Sequence, residues 1–283
     1  MTANAQQETV LVTAATGKTG RRVVARLQAR GVPVRAGSRT PGAGGGEVVF
    51  DWDSAATWGP ALVGVDSAYV AFYPDLAAPG AVEAMSGFGR VAAEQGVRHL
   101  VLLSGRGEPD AVVSEEALRA SGVPLTVVRA AFFAQNFSEG VLADLVAGGA
   151  IAFPGAQTPE PFIDADDIAD VVVAALTEGG HRGKVHEVTG PRLVTFGEAA
   201  AELGSALGRE VRYLPVSGPE FAALLQQAGF PEPDAQWLAA LCTMLMDGHN
   251  ASTTNAVREV LGRDPKDFKD FARDAVAADA WHS

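Results

Sequence analysis

Short apolar runs alternate with amphipathic stretches through the first half of the chain. Strand-like runs fall at 9–12, 34–39, 48–50, 67–72, 99–104 and 125–129, and helical periodicity marks 18–30, 81–95 and 113–121. Such alternation predicts a parallel sheet with helices on both faces and a ligand crevice at the strand C-termini. The glycine-rich stretch 42–46 reads as a loop. Past about residue 130 the strands thin out and helix predominates. Thr195 with Glu198, and Ser217 with Glu220, have the spacing of capping boxes at helix starts. A closing helix is expected over 264–281.

The apolar run Val10-Leu11-Val12 is followed by Thr13-Ala14-Ala15-Thr16-Gly17-Lys18-Thr19-Gly20, which opens a helical stretch ending at Gly31. Strand, glycine turn and helix come in the order a nucleotide pyrophosphate needs. Gly17 would let backbone approach the phosphates, Gly20 would let the helix pack close to the strand, and the helix N-terminus would favour the anion. In the G-x-x-G-x-x-G form the first glycine falls on Ala14, so a slightly wider turn is expected there. Gly17-Lys18-Thr19 also reads as part of an ATPase phosphate loop. That motif needs a glycine five positions earlier, where this chain has Val12. The fold class is therefore α/β, a Rossmann-type doubly wound parallel sheet with a smaller, mostly helical substrate-side lobe. The division is drawn as 1–150 for the NADP(H)-binding part, with later segments returning to it, and 151–283 for the lobe.

The nucleotide preference follows from the end of the second strand. A dinucleotide fold places its ribose reader about 20 residues after the loop. This chain has Ser38 and Arg39 there, with no carboxylate until Glu47. A guanidinium pairs bidentately with a 2′-phosphate that a carboxylate would repel, so NADP(H) is favoured over NAD(H).

Composition narrows the partners. Of 283 residues, 47% are hydrophobic, but no apolar run approaches the roughly 18–20 residues of a membrane span. The first eight residues lack the basic start and apolar core of a secretory signal. The lone Cys242 permits no intramolecular disulfide and points to a cytoplasmic setting. A net charge of −12 argues against nucleic acid. His99, His181, His186, His249 and His282 show no metal-ligand spacing, and Asp164, Asp166, Asp167 and Asp170 read as helix capping, so no metal is expected.

With these motifs the chain resembles the NmrA-like branch of atypical short-chain dehydrogenases/reductases along nearly its whole length. The resemblance rests on 14–20, Ser38-Arg39, 50–62, 101–104, 128–137 and 162–170. The 51–62 and 129–137 segments are similar to a sub-branch that includes iminium-reducing festuclavine and agroclavine dehydrogenases; the wider branch holds quinone and dye reductases and non-catalytic redox-sensing regulators. The resemblance implies that Ala14, Thr16, Gly17, Lys18, Thr19 and Gly20 meet the pyrophosphate. It places Asp51 and Trp52 beside the adenine. Ala71, Phe72 and Tyr73 would pass the ribose and pyrophosphate, Ser104 would lie near the nicotinamide, and Phe132, Phe133, Gln135 and Asn136 would wall the nicotinamide and substrate pocket. Ala130 stands where the family has proline.

Carbonyl-reducing relatives use a tyrosine followed four residues later by lysine. None of Tyr69, Tyr73 and Tyr213 has that lysine, and 104–121 contains neither residue type. An alkoxide product needs a local acid, whereas a reduced iminium is a neutral amine and a reduced quinone is a stabilised anion. The expected function is therefore NADPH-dependent reduction of an activated, aromatic or polycyclic small molecule by a monomer or homodimer. Ser104 and Tyr73 are the candidate catalytic donors; a backbone-bonded Ser104 and a crevice-lining Tyr73 are the plainer alternatives. A redox-sensing regulator, or an NADP(H)-binding isomerase or cyclase, is the rival.

Overall fold

The computed structural model describes residues 8–42 and 46–281, so most of the predicted 42–46 loop and His282 lie outside the described residues. In chain order the first elements are β1 (Val10–Val12), α1 (Gly20–Ala29), β2 (Val34–Ser38), β3 (Glu47–Val49), α2 (Trp58–Leu62), β4 (Ser67–Val70), α3 (Ala81–Glu94), β5 (His99–Gly105), α4 (Pro109–Arg119) and β6 (Leu125–Ala130). They are followed by α5 (Val141–Ala147), β7 (Ala150–Phe153), β8 (Pro159–Glu160), α6 (Ala165–Thr177) and β9 (Val185–Val188). The remainder is β10 (Val194–Thr195), α7 (Phe196–Leu207), β11 (Arg212–Pro215), α8 (Gly218–Gln227), α9 (Glu232–Leu245), α10 (Ala256–Leu261) and α11 (Phe268–Ala277).

The chain forms two compact units. Unit 1 runs to Arg129 and takes in Ile168–Glu187; unit 2 comprises Ala130–Asp167 and everything from Val188 onward. The chain thus leaves unit 1 at the end of β6, ahead of the sequence division at 150, and returns through 168–187, where β9 adds the last strand of the sheet.

Unit 1 is a seven-stranded sheet in the order β3-β2-β1-β4-β5-β6-β9. β1 pairs in parallel with both β2 and β4, and β4 with β5. Successive strands step outward from β1 to β3, and β4 then returns to the other side of β1. That reversal creates a switch point at the C-terminal ends of β1 and β4, where doubly wound sheets bind ligands. The central strands carry apolar residues on both faces: β1 and β4 are buried throughout. Leu11, Phe50, Trp58, Phe88 and Leu100 anchor one core cluster.

Unit 2 holds two small sheets, β7 with β11 in parallel and β8 with β10 antiparallel. Phe137, Phe153, Phe162, Phe196 and Phe268 form its centre, and Phe153 stacks on Phe196 at 4.3 Å between centroids. Both predicted capping boxes form, at α7 and α8. The closing helix begins at Phe268, capped by Asp267, and not at 264.

Candidate functional site

The turn after β1 is tight. Ala14 adopts φ +47°, its carbonyl accepts from Gly17 N at 2.9 Å, and Gly17 O accepts from Arg21 N at 3.1 Å. The widened turn expected from the alanine does not occur; Ala14 itself takes the left-handed conformation that glycine adopts without cost. A Cβ on Gly20 would lie 2.1 Å from Ala14 O, so α1 packs against the loop backbone only with glycine there. At Gly17 the same test gives 3.2 Å, a milder constraint.

Two buried side chains the sequence reading passed over hold this turn. Thr13 Oγ1 lies 3.2 Å from the carbonyls of Tyr69 and Ala71 and accepts from Ala71 N at 2.8 Å, tying the tips of β1 and β4. Tyr69, fully buried, donates its hydroxyl to Thr19 Oγ1 at 2.8 Å; burial pushes its phenol well above the ordinary value. A tyrosine in an apolar strand gives no sequence signal for this support role.

At the end of β2, Ser38 Oγ accepts from Thr40 N at 3.3 Å. Arg39 is exposed and makes no ion pair among the described residues. Glu47, the nearest carboxylate along the chain, accepts from Gly42 N. Asp51 and Trp52 follow β3 in a closed turn, with Trp58 Nε1 donating to Asp51 O at 2.8 Å and Asp53 N to Asp51 Oδ1 at 3.1 Å. Trp52 Nε1 donates to Ala71 O at 2.9 Å, and its ring meets Phe50, Trp58, Phe72 and Phe88 edge-on. Loop, Arg39, Asp51, Trp52, Ala71 and Phe72 therefore gather at one end of the sheet. This backbone geometry and the free cation fit a phosphorylated dinucleotide. Tyr73 lies at the same end, 71% exposed.

The tip of β5 carries carboxylate chemistry. Ser104 is buried and donates to Glu115 Oε1 at 2.6 Å. Glu115, on α4 and with no exposure, also takes Arg129 in a bidentate pair at 2.8 and 2.7 Å. The single proton of Ser104 is thus spent on a carboxylate. The helix where a tyrosine–lysine pair would stand instead supplies Glu115 and Ser114, the latter donating to Leu76 O at 2.7 Å. On the next residue of β5, Gly105, a Cβ would meet Glu108 Oε1 at 2.0 Å, so the Glu108 carboxyl occupies that side-chain space. Burial, then the charge of Asp75 and a hydrogen bond to it, push Glu108 up to about 9.

The predicted pocket segment sits within unit 2. Phe132 packs on the phenylalanine cluster. Phe133 bridges Ile163 and precedes a 3-10 turn, Ala134–Phe137. Gln135 is buried; its Nε2 donates to Asp164 Oδ1 at 3.0 Å and its Oε1 accepts from Ala165 N at 2.7 Å, so both ends of the amide hold the start of α6. Asn136 is half-buried, and its backbone N donates to Phe133 O at 3.0 Å. The aspartates around that helix start are engaged: Asp164 accepts from Asp166 N, Asp167 from Arg263 and Lys266 N, and Asp170 from Arg26. No cluster that could hold a metal occurs among the described residues.

A glycine turn at the switch point of a doubly wound parallel sheet is the architecture of a dinucleotide-fold protein. The model of the NmrA-like family matches residues 112–272, and the chain belongs to that family. It is 34% identical to a (4-alkanoyl-5-oxo-2,5-dihydrofuran-3-yl)methyl phosphate reductase of Streptomyces griseus, over 95% of this chain and 98% of that protein. It is 30% identical to a festuclavine dehydrogenase of Aspergillus fumigatus, over 95% and 98%. The Citrobacter sp. triphenylmethane reductase complexed with NADP(H) superimposes with a TM-score of 0.79 at 23% identity, covering 94% of this chain and 99% of that one.

Proposed function

We propose that this protein is an NADPH-dependent reductase transferring hydride to an activated small-molecule acceptor. The observation that carries the reading is the unpaired Arg39 at the end of β2, beside a glycine turn that only a Cβ-free residue 20 permits. In this reading the loop backbone of 14–20 holds the pyrophosphate and Arg39 with Ser38 reads the 2′-phosphate. Trp52, fixed by its bond to Ala71 O, walls the adenine end. NADPH supplies the hydride when bound, and binding and orientation provide most of the rate. Two relatives are named for a reductase and a dehydrogenase of small molecules, which supports the same class. The absence of a tyrosine–lysine pair favours an iminium or a conjugated carbonyl compound over a simple ketone.

The test is titration of the purified protein with NADPH and NADH, followed by nicotinamide oxidation with a quinone, a cyclic iminium and a ketone. Tighter NADPH binding with turnover of quinone or iminium, and none of ketone, is expected. Binding without turnover of any acceptor would favour a redox sensor, and no binding of either nucleotide would remove the reading.

A further inference from the structure

Among its described residues unit 1 buries one carboxyl group whose hydrogen bonding is incomplete and which stands at the C-terminal end of the sheet. Glu108 is 7% exposed, and its Oε2 has no hydrogen-bond partner. Its carboxyl group fills the side-chain space of Gly105, the last residue of β5, within 2.4 Å of where a Cβ would stand. Side chains alternate along a strand, so this is the face opposite to that of Ser104. Asp75, on the segment after β4, is hydrogen-bonded to Glu108 and also accepts from Ala77 N at 2.8 Å. Burial, and after it the neighbouring Asp75 carboxyl, keep the proton on Glu108.

We propose that Asp75 and Glu108 form a proton source at the tips of β4 and β5, with the Glu108 carboxylic acid donating to the oxygen of a neutral, carbonyl-conjugated acceptor. This rests on the reductase reading and deepens it by naming the acceptor class. An iminium accepting hydride becomes a neutral amine and needs no proton, so such a donor would stand idle. A quinone or enone accepting hydride becomes an oxyanion. The O–H bond of Glu108 then breaks, an O–H bond forms on the acceptor oxygen, and Glu108 is left as a carboxylate that regains its proton from water. The Ser104 proton is held by Glu115, which leaves Glu108 as the acidic group at this end of β5.

The experiment compares wild type with Glu108→Gln, which keeps a donor toward Asp75 but no acidic proton, and with Asp75→Asn. Infrared spectra at neutral pH are recorded before and after NADPH, and NADPH oxidation by 1,4-naphthoquinone is followed in single turnover. The expected result is a carboxylic-acid carbonyl band in wild type, absent from Glu108→Gln and shifted by NADPH. Glu108→Gln should bind NADPH within about twofold of wild type yet react with the quinone about 100-fold more slowly. Asp75→Asn should ionise the band at lower pH and move the alkaline limb of the rate down with it. A missing band, a band unmoved by NADPH, or Glu108→Gln reacting like wild type overturns the proposal. Wild type that binds NADPH and reduces a dihydroisoquinolinium but not the quinone also overturns it, while leaving the reductase reading intact. Failure of wild type to bind NADPH removes the reductase reading itself.

Discussion

The two edges of the unit 1 sheet both bury ionisable side chains, and at both edges burial drives the group to its neutral form. At the C-terminal edge Glu108 is pushed up to about 9, by burial and by Asp75. At the opposite edge His99, the first residue of β5, is lowered to about 4 by burial and by the nearby charges of Arg182 and His181. Their hydrogen bonding differs. His99 Nε2 lies 2.9 Å from Thr126 Oγ1, which donates to His181 O at 2.7 Å, and His181 Nδ1 lies 3.1 Å from His186 Nε2. Those rings form a partnered strut. Glu108 keeps one oxygen without a partner. Burial sets the charge state at either edge, and the hydrogen-bond inventory decides whether the neutral group is a strut or a reagent.

The largest effect should come from cutting the buried pair at the C-terminal edge. Arg129→Met leaves Glu115 buried beside Ser104 with its charge uncompensated, a loss of about 3–5 kcal/mol measurable by chemical denaturation. A loss under about 1 kcal/mol would show that the Glu115–Arg129 pair contributes little to folding. Gly20→Ala forces a Cβ into Ala14 O and should cost about 3 kcal/mol, with NADPH affinity falling in the same variant.

The histidine edge sharpens the contrast through pH. His99 binds its proton more weakly folded than unfolded, so its contribution is present above the unfolded value near 6.5 and is lost as pH falls toward 4. Between pH 7 and pH 5 the loss should be about 2 kcal/mol, and His99→Gln should flatten that part of the stability profile. Glu108 acts with the opposite sign: its folded value is raised, so stability is fully present below the ordinary glutamate value and falls as pH rises through about 9. The smallest change is Ala14→Gly, which relieves the φ of +47° and should raise the melting temperature by a gain of about 1 kcal/mol.

Residues whose role is fixed by local backbone or spacing could be read from the sequence. Gly20 declared itself by the strand–turn–helix order, and Thr195 and Ser217 by the glutamates three positions on. Groups whose role depends on a distant partner could not. Nothing local shows that Ser104 spends its proton on Glu115, or that both ends of the Gln135 amide hold the start of α6. His181 and His186 meet through a turn that no ligand spacing announces. Glu108 stands before Pro109 and reads as an ordinary helix start; its burial over Gly105 and its pairing with Asp75 exist only in the folded chain. A return of later segments to the first unit was expected, but which segment returns, 168–187, was not legible from the sequence.

The most direct test of the account is the affinity of wild type and Arg39→Ala for NADPH and NADH, measured by calorimetric titration. The expected result is NADPH binding about 10–100-fold more tightly than NADH in wild type, with most of that preference lost in Arg39→Ala and NADH affinity nearly unchanged. Equal affinities in wild type, or no binding of either nucleotide, would contradict the assignment of the glycine turn and Arg39 to NADP(H).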